Sequence, residues 1–394
     1  MRRIDLKTAS VARSNTIRDI NRQIVLNYVR EKGPISRAEI AKETDLQRST
    51  ISHIIKELTD FDLIREVYGE SSGGRPPALL TLSTARPVAI GIDLGTVRTI
   101  VGCCDLTGRI IDKDEFATDP DEERSTTKII ESVQTMMRRY VGQIESLGVS
   151  MPALVDSTKQ HVLFSPHFTW EDPQIIERLQ EATGLPVIAE NDANAAALAE
   201  LWFGRLAIPD VRDFIMVFIE NGIGTGIVFD GQIYRGKGGV AGEFGHMRIG
   251  TDAPIACANG SNECWEAFAS EKAALARYAS LSGGSAGSIT FSDLVRLGFD
   301  KDPQALKALR ETAYYIGLGL GNLIQGLSPE AILVGGTISQ AWSLVGEDIT
   351  AATDSVVCQG MTGARILPSS LGNNSALMGA FSLILADKFA SVSI

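Results

Sequence analysis

Apolar residues recur at two different periods along this chain, and the change from one to the other divides it. Up to about residue 60 the period is helical. Ile17, Ile20, Ile24, Val25 and Tyr28 predict a helix over 17–32, ended by Gly33-Pro34. Ser36 and Glu39 then stand three apart, as a capping box requires, and predict a short helix ending near Thr44. After a tight turn at Asp45 and Leu46, the stripe Ile51, Ile54, Ile55 and Leu58 predicts a third helix over 47–59. Two short strands follow, 63–67 and 78–82, with G-E-S-S-G-G-R-P-P between them.

From residue 88 onward apolar runs bounded by Gly turns take over. V-A-I-G-I-D-L-G-T reads as a buried strand ending in a polar turn. Strands at 99–104 and 109–116, a helix over 122–145 and a strand at 147–151 come next. The pattern then returns: a strand at 214–219 ends in N-G-I-G-T-G, and 227–229 continues through Asp230 and Gly231 to 232–234. A strand, Gly turn and hairpin that occur twice predict a duplicated lobe, and two facing lobes make a cleft.

Composition changes this picture in one respect. The chain of 394 residues is 44% hydrophobic and 22% charged, as in soluble globular proteins, and is long enough for two or three domains. Its net charge of −11 is uneven: residues 1–86 hold 15 Lys and Arg against 11 Asp and Glu, while the remainder holds 22 against 37. A mildly basic head on an acidic body points to a polyanion as the head's partner. Five Cys, two of them adjacent, argue against a disulfide framework and for a reducing compartment. The N-terminus M-R-R-I-D-L-K has no apolar core for a signal peptide, and no apolar run is long enough for a membrane span.

The head's third helix carries its chemistry on the face opposite the stripe: Gln47, Arg48, Ser49, Ser52, His53 and Lys56, donors and acceptors suited to base edges and phosphates. Helix, short helix, turn and polar-faced helix, then two strands with a flexible tip, make a winged helix-turn-helix. Arg75 in that tip, held extended by Pro76 and Pro77, suits an A·T-rich minor groove. The plainer reading is a helical protein-interaction module with a solvated polar face.

In the body, G-G-V-A-G-E-F-G-H and C-A-N-G-S-N-E-C-W-E bring Glu243, His246, Cys257, Cys264 and Glu266 within about thirty residues. Two carboxylates and an imidazole can grip several hydroxyls of a neutral polyol. The His and the two Cys can hold a metal, or the stretch can be a Gly-rich loop with two buried thiols. Asn191 and Asp192 stand between a strand at 186–189 and an Ala-rich helix at 193–203. Asp192 there is placed as a general base for a sugar hydroxyl, as an N-cap, or as both. Gly95 and Thr96 in one turn and Gly222 and Gly224 in another offer N–H groups to phosphate. Gly335 and Gly336 fit under a nucleotide base or form a strand-to-helix turn.

With these motifs the chain resembles the ROK family of repressors, open reading frames and sugar kinases, over nearly its whole length. It is most similar to the repressor branch, in G-P-I-S-R-A-E-I-A, in the wing's S-G-G-R-P-P, in E-N-D-A-N-A-A-A-L-A-E, in G-G-V-A-G-E-F-G-H, and in the spacing of Cys257, Cys264 and Glu266. The resemblance implies an α/β, actin/hexokinase-like body of two lobes behind the winged helix. It implies sugar contacts from Asn191, Asp192, Glu243, His246 and Glu266, with Asp192 the catalytic base if kinase activity is retained. It also implies a zinc site. Three departures matter. The family's zinc set is one His and three Cys; Asn259 replaces the middle Cys, with Glu263 in place of a usual Gly, leaving His246, Cys257 and Cys264 as ligands. One Gly of the family's D-x-G-G-T is missing after Gly95, where Val97 and Arg98 follow, which disfavours ATP. Pro166-His167 stands where the family has P-N.

These readings divide the chain into a DNA-binding head at 1–84, a first lobe at 85–202 rejoined by 374–394, and a second lobe at 203–373. They predict a cytoplasmic, sugar-responsive transcriptional regulator, a homodimer or tetramer, whose partners are operator DNA and a small neutral sugar and which needs no membrane. The rival is an ATP-dependent sugar kinase with a DNA-binding head. A third reading, a phosphosugar or phosphotransferase effector, meets three carboxylates that would repel phosphate.

Overall fold

The computed structural model of the protein describes residues 14–68, 77–156, 160–165, 168, 170, 173–204, 211–283, 289–361 and 363–389. The head begins with α1 (Ser14–Lys32), β1 (Ile35–Ser36), α2 (Arg37–Thr44) and α3 (Arg48–Asp60), and ends with β2 (Ile64–Tyr68) and β3 (Ala78–Leu82). The capping box forms as the sequence predicts: the Ser36 hydroxyl accepts from the Glu39 N–H at 3.2 Å, and the Glu39 carboxylate accepts from the Ser36 N–H at 2.9 Å. Asp45 makes the tight turn in the left-handed region, φ 55°. Ile51, Ile54, Ile55 and Leu58 are all buried. Two details differ. α1 packs through Val25, Leu26 and Val29, leaving Ile17 half exposed, because the sheet lies against its C-terminal half. The sheet has three strands, since β1 pairs antiparallel with β3, a two-residue strand too short for periodicity to reveal. Arg75 lies outside the described residues, as do Pro166 and His167.

The first lobe runs β4 (Ala89–Leu94), β5 (Arg98–Cys104), β6 (Ile110–Ala117), α4 (Glu122–Arg139), β7 (Ser146–Met151), β8 (Leu154–Asp156), β9 (His161–Phe164), α5 (Ile175–Thr183), β10 (Val187–Asn191) and α6 (Asp192–Phe203). α4 stops six residues short of its predicted end, capped by Tyr140 before the turn at Gly142, φ 69°. The second lobe runs β11 (Phe214–Ile219), β12 (Ile223–Phe229), β13 (Gln232–Ile233), α7 (Trp265–Ala269), α8 (Glu271–Leu281), α9 (Phe291–Phe299), α10 (Pro303–Leu327), β14 (Ala331–Gly335), α11 (Trp342–Val356) and β15 (Arg365–Pro368), before α12 (Ser375–Phe389).

The duplication is visible in the strand order. The sheets are β6-β5-β4-β7-β10 and β13-β12-β11-β14-β15. In each, the first three strands are an antiparallel meander and the last two are parallel to the strand that starts the lobe. Their central strands are buried on both faces, which explains their continuous apolar runs.

α6 belongs to both lobes. Ala193, Ala196 and Ala197 join the apolar cluster of Phe214, Met216 and Phe218 in the second sheet. The helix also packs against α12, where Gly379 passes so close to Ala195 that a Cβ would meet its carbonyl carbon at 2.4 Å. α12 in turn lies on the first sheet and extends the head's core: Leu377, Phe381, Ile384 and Phe389 share one buried cluster with Val25, Ile40, Leu58 and Leu80. Among the described residues, no helix is long and apolar enough to cross a membrane.

Candidate functional site

Between the lobes lies a cavity of about 270 Å³. Asn191 and Asp192 reach it from the end of β10, and Glu243, His246 and Glu266 from the second lobe. All five residues singled out for sugar contact therefore line one space. The volume sits just under the roughly 300–1,000 Å³ usual for drug-sized ligands, which suits a monosaccharide.

Local structure explains how each side chain is aimed. Asn191, not Asp192, is the N-cap of α6: its Oδ1 accepts from the N–H groups of Ala193 at 3.0 Å and Asn194 at 3.2 Å, while its Nδ2 donates to the Ala153 carbonyl at 3.3 Å. That corrects the N-cap alternative for Asp192, which is the first helical residue instead. Asp192 accepts one N–H, from Ala193 at 2.8 Å, and keeps its carboxylate toward the cavity. Burial, with the Glu243 carboxylate nearby, pushes it up to about 6. Glu243 is also raised, mainly by burial, with His246 opposing. Glu266 is 4% exposed and ties two elements together, accepting from Ala258 N–H at 2.9 Å and Ile223 N–H at 3.3 Å.

The sequence reading of a second phosphate-cradling Gly turn needs correction. Gly224 lies inside β12, opposite Phe218, and the tight turn is confined to residues 220–222. Gly224 and Gly226 are glycines because α6 lies against the strand: a Cβ on Gly224 would stand 2.7 Å from the Ala193 Cβ, and one on Gly226 2.4 Å from the Ala193 carbonyl oxygen. Thr96, Gly222 and Gly224 line the cavity; Gly95, Gly335 and Gly336 are not among its lining residues. Gly336, φ 88°, turns the chain out of β14, and a Cβ there would collide with the Ile219 carbonyl oxygen at 1.8 Å.

The two lobes meet beside the first Gly turn. Asn221 Nδ2 donates to the Thr96 hydroxyl across the cleft. Glu220 lines the same end of the cavity, with its carboxyl raised well above the ordinary range, first by burial and then by Asp93, Glu271 and Asp192. Asp93 is raised by burial too, and burial pushes Glu271 up to about 7. Glu220 was missed in the sequence; its signal was a carboxylate at the mouth of a Gly-rich turn, where a phosphate cradle would exclude one. Phe164 and Asn259 also line the cavity and had no sequence signal for doing so.

His246, Cys257 and Cys264 form a compact group, their ligand atoms all within 4.8 Å of one another. His246 Nδ1 is buried without a hydrogen-bond partner, while Nε2 stands 3.8 Å from a Glu243 oxygen. A buried nitrogen without a partner, on a residue grouped with two buried thiols, fits a thiophilic cation such as zinc. Without a metal, burial and the neighbouring Cys257 thiol push Cys264 up to about 12; a bound cation would reverse that by favouring the thiolate.

On the head, Gln47, Arg48, Ser49, Ser52, His53 and Lys56 are all exposed. His53 is engaged rather than free: Arg18 lies 3.2 Å from its Nε2, and Glu57 is 3.3 Å from the same nitrogen. Arg18 also pairs with Glu57. These contacts orient the imidazole at the edge of the polar face.

The geometry has counterparts. The profile of the ROK family matches residues 89–387, and that of a winged helix-turn-helix DNA-binding domain matches residues 18–65. A xylose repressor of Bacillus spizizenii is 31% identical over 381 residues, covering 95% of this chain and 97% of its own. A ROK family transcriptional regulator, a homologue of the Escherichia coli MLC protein, superposes with a TM-score of 0.78 at 27% identity, covering 95% of this chain and 97% of its own. A ROK family glucokinase from Streptomyces griseus, solved with glucose and AMPPNP, superposes with a TM-score of 0.68 at 31% identity, covering 75% of this chain and 98% of its own.

Proposed function

This chain belongs to the ROK family and carries a DNA-binding head; from that premise we propose that it is a cytoplasmic repressor of carbohydrate-metabolism genes, released or retuned on its operator by a neutral monosaccharide bound between its lobes. The observation that carries the reading is the convergence of Asn191 and Asp192 from the first lobe with Glu243, His246 and Glu266 from the second on one cavity of monosaccharide size. A sugar held by both sets favours one relation of the lobes over others, and its leverage on DNA equals that difference in affinity. Similarity to proteins named xylose repressor makes D-xylose the first sugar to test.

In this reading Gln47, Arg48, Ser49, Ser52 and Lys56 meet the major groove, His53 sits at the edge of that contact, and Arg75 of the wing enters the minor groove. The functional units are the head at 1–84, a first lobe at 85–202 with 374–394, and a second lobe at 203–373, with α6 shared between the lobes. The protein works as a homodimer or tetramer, because operators with two half-sites need two heads. Zinc, when bound by His246, Cys257 and Cys264, would cross-link the loop that carries Glu243. The bond would also fix the orientation of the His246 ring beside the cavity.

The kinase reading draws on Asp192, whose raised carboxyl suits a general base. Glu220 and the Asn221–Thr96 contact weigh against it, since a buried carboxyl and a cross-cleft bond occupy the corner beside the first Gly turn. Glu243→Gln tests the regulator. It keeps the shape and removes the charge that strengthens hydrogen bonds to hydroxyls. It should abolish the sugar response in an operator anisotropy titration while sugar-free operator affinity stays within about twofold. A mutant that responds like the parent removes Glu243 from the pocket.

A further inference from the structure

Two charged residues that do not line the cavity join its halves. Glu190 is the penultimate residue of β10, directly before Asn191 and Asp192, and its side chain is 3% exposed. One oxygen accepts from Arg235 Nε at 2.7 Å; the other accepts from Asn194 Nδ2 at 3.2 Å and from the Asn191 N–H at 3.1 Å. Arg235 comes from the opposite lobe, two residues after β13. Its own carbonyl accepts from the Ala241 N–H at 3.1 Å, which closes the glycine loop leading to Glu243. The far end of that loop is fastened by the Thr225 hydroxyl, which donates to the Gly242 carbonyl. Gly239 passes the first lobe so closely that a Cβ would meet the Val155 carbonyl oxygen at 2.5 Å.

We propose that the Glu190–Arg235 pair positions the sugar site: it locks the Glu243–His246 loop of one lobe to the Asn191–Asp192 corner of the other, so that the five contact residues are preorganised before any sugar arrives. The inference rests on the sugar-site reading above. Three features set this pair apart from an ordinary ion pair. It crosses the cleft. Its carboxylate is buried and satisfied by three donors, so charge and geometry are both specified. And each partner is attached by one or a few residues to a part of the site: Glu190 to Asn191 by a hydrogen bond along the chain, Arg235 to the loop by its carbonyl. Preorganisation of this kind raises affinity by removing the ordering cost from the binding step. Neither residue touches the ligand; both act through others.

The experiment is calorimetric titration of the full chain with D-xylose and with D-glucose. The parent is compared with Glu190→Gln, Arg235→Met, the double variant and Arg235→Lys. Arg277→Met serves as the control, because Arg277 is a buried arginine of the second lobe, bonded to Thr312 at 2.8 Å and not among the residues lining the cavity. Each single variant should weaken sugar binding about tenfold or more, and the double variant should be no weaker than the poorer single, the signature of two groups acting as one. Arg235→Lys, which keeps the charge, should recover part of the loss, and it supplies the test if Glu190→Gln fails to fold. Arg277→Met should lower the melting temperature and leave sugar affinity within about twofold. Single variants that bind like the parent, or losses that simply add in the double variant, overturn the positioning role. A loss of equal size in Arg277→Met would make the effect one of general stability and overturn it as well. A parent that gives no heat with either sugar overturns the sugar reading, and the inference with it, which is a different result from a binding parent with unaffected variants.

Discussion

Asp192 stands where a carboxylate is hard to keep ionised. Burial outweighs the backbone N–H groups of Ala193 and of Asp192 itself, and Glu243 adds negative charge nearby, so its ionisation midpoint rises to about 6. The sign of the consequence follows. The ionised form accepts sugar hydroxyls with charge assistance, is present above about pH 6 and is lost as pH falls. At pH 5 about a tenth of the molecules keep it, so sugar affinity should drop by up to about tenfold between pH 7.5 and pH 5, linkage applying to binding as it does to folding. Calorimetry across that range checks this, and Asp192→Asn should bind weakly at every pH with the slope removed. A parent with flat affinity would mean that Asp192 is not the hydroxyl acceptor. For folding the same shift acts the other way: the penalty for burying this group is absent below its ordinary 3.8 and complete above about pH 6.

At the scale of elements, α6 spans the distance that regulation must cross. Its N-terminus holds Asp192 in the cavity, and near its C-terminus Trp202 lies under Arg30 of α1, the guanidinium 4.0 Å from the ring centroid. Phe389 of α12 packs beside that tryptophan at 5.6 Å, and its carbonyl accepts from Asn27 Nδ2 of α1 at 2.8 Å. Twelve helical residues, about 18 Å at 1.5 Å per residue, thus join the cavity to the head. Replacing Arg30 or Trp202 with Ala should leave sugar affinity near parental. It should also shrink the sugar-induced change in operator affinity from the usual 5–150-fold range toward unity, read by anisotropy with and without sugar. Unchanged coupling would place the route elsewhere. The metal loop is the other element with a clear test. If His246, Cys257 and Cys264 hold zinc, purified protein should contain about one zinc per chain by elemental analysis, and chelation should lower its melting temperature. Zinc-free protein with an unchanged melting temperature would leave the loop to Glu266 and packing alone.

For the whole molecule, the decisive comparison is with phosphoryl transfer, which needs both lobes to open onto the same phosphates. Here the lobes are bridged at that corner by Asn221 and Thr96, and Asp93, Glu220 and Glu271 gather there with carboxyls raised by burial. A nucleoside triphosphate would have to break that bridge and enter beside three buried carboxyls, which would then have to stay protonated to avoid repelling it. The expected outcome is that magnesium ATP with D-xylose or D-glucose gives no turnover approaching the roughly 1–1,000 per second of ordinary enzymes. A coupled assay measures it, and rates in that range would restore the kinase reading. In the proposed reading the body is a two-lobed sensor, and the head, which shares the α12 core, is its output.

Much of this protein was legible along the chain because local physics decided it. Capping at Ser36 and Glu39, the Ile51–Leu58 stripe and the apolar runs of β4 and β11 depend on neighbours within a few residues, and they predict their elements closely. The five cavity residues proposed to hold a sugar were legible as motifs, through resemblance and residue chemistry together. Other features were set by contacts between distant segments. The glycines of β12 look like a phosphate turn in one dimension, and only the approach of α6 shows that they make room for a helix. The sequence offered Asp192 as a cap, and only the backbone angle at which β10 enters α6 gives that role to Asn191. Glu190 and Arg235, 45 positions apart, carry no periodicity that links them; their pairing exists because the two lobes fold against each other. Propensity and pattern act over one or two turns of chain, whereas a cleft, a shared helix and a buried cross-lobe charge pair arise from close packing, which the linear order of residues does not encode locally.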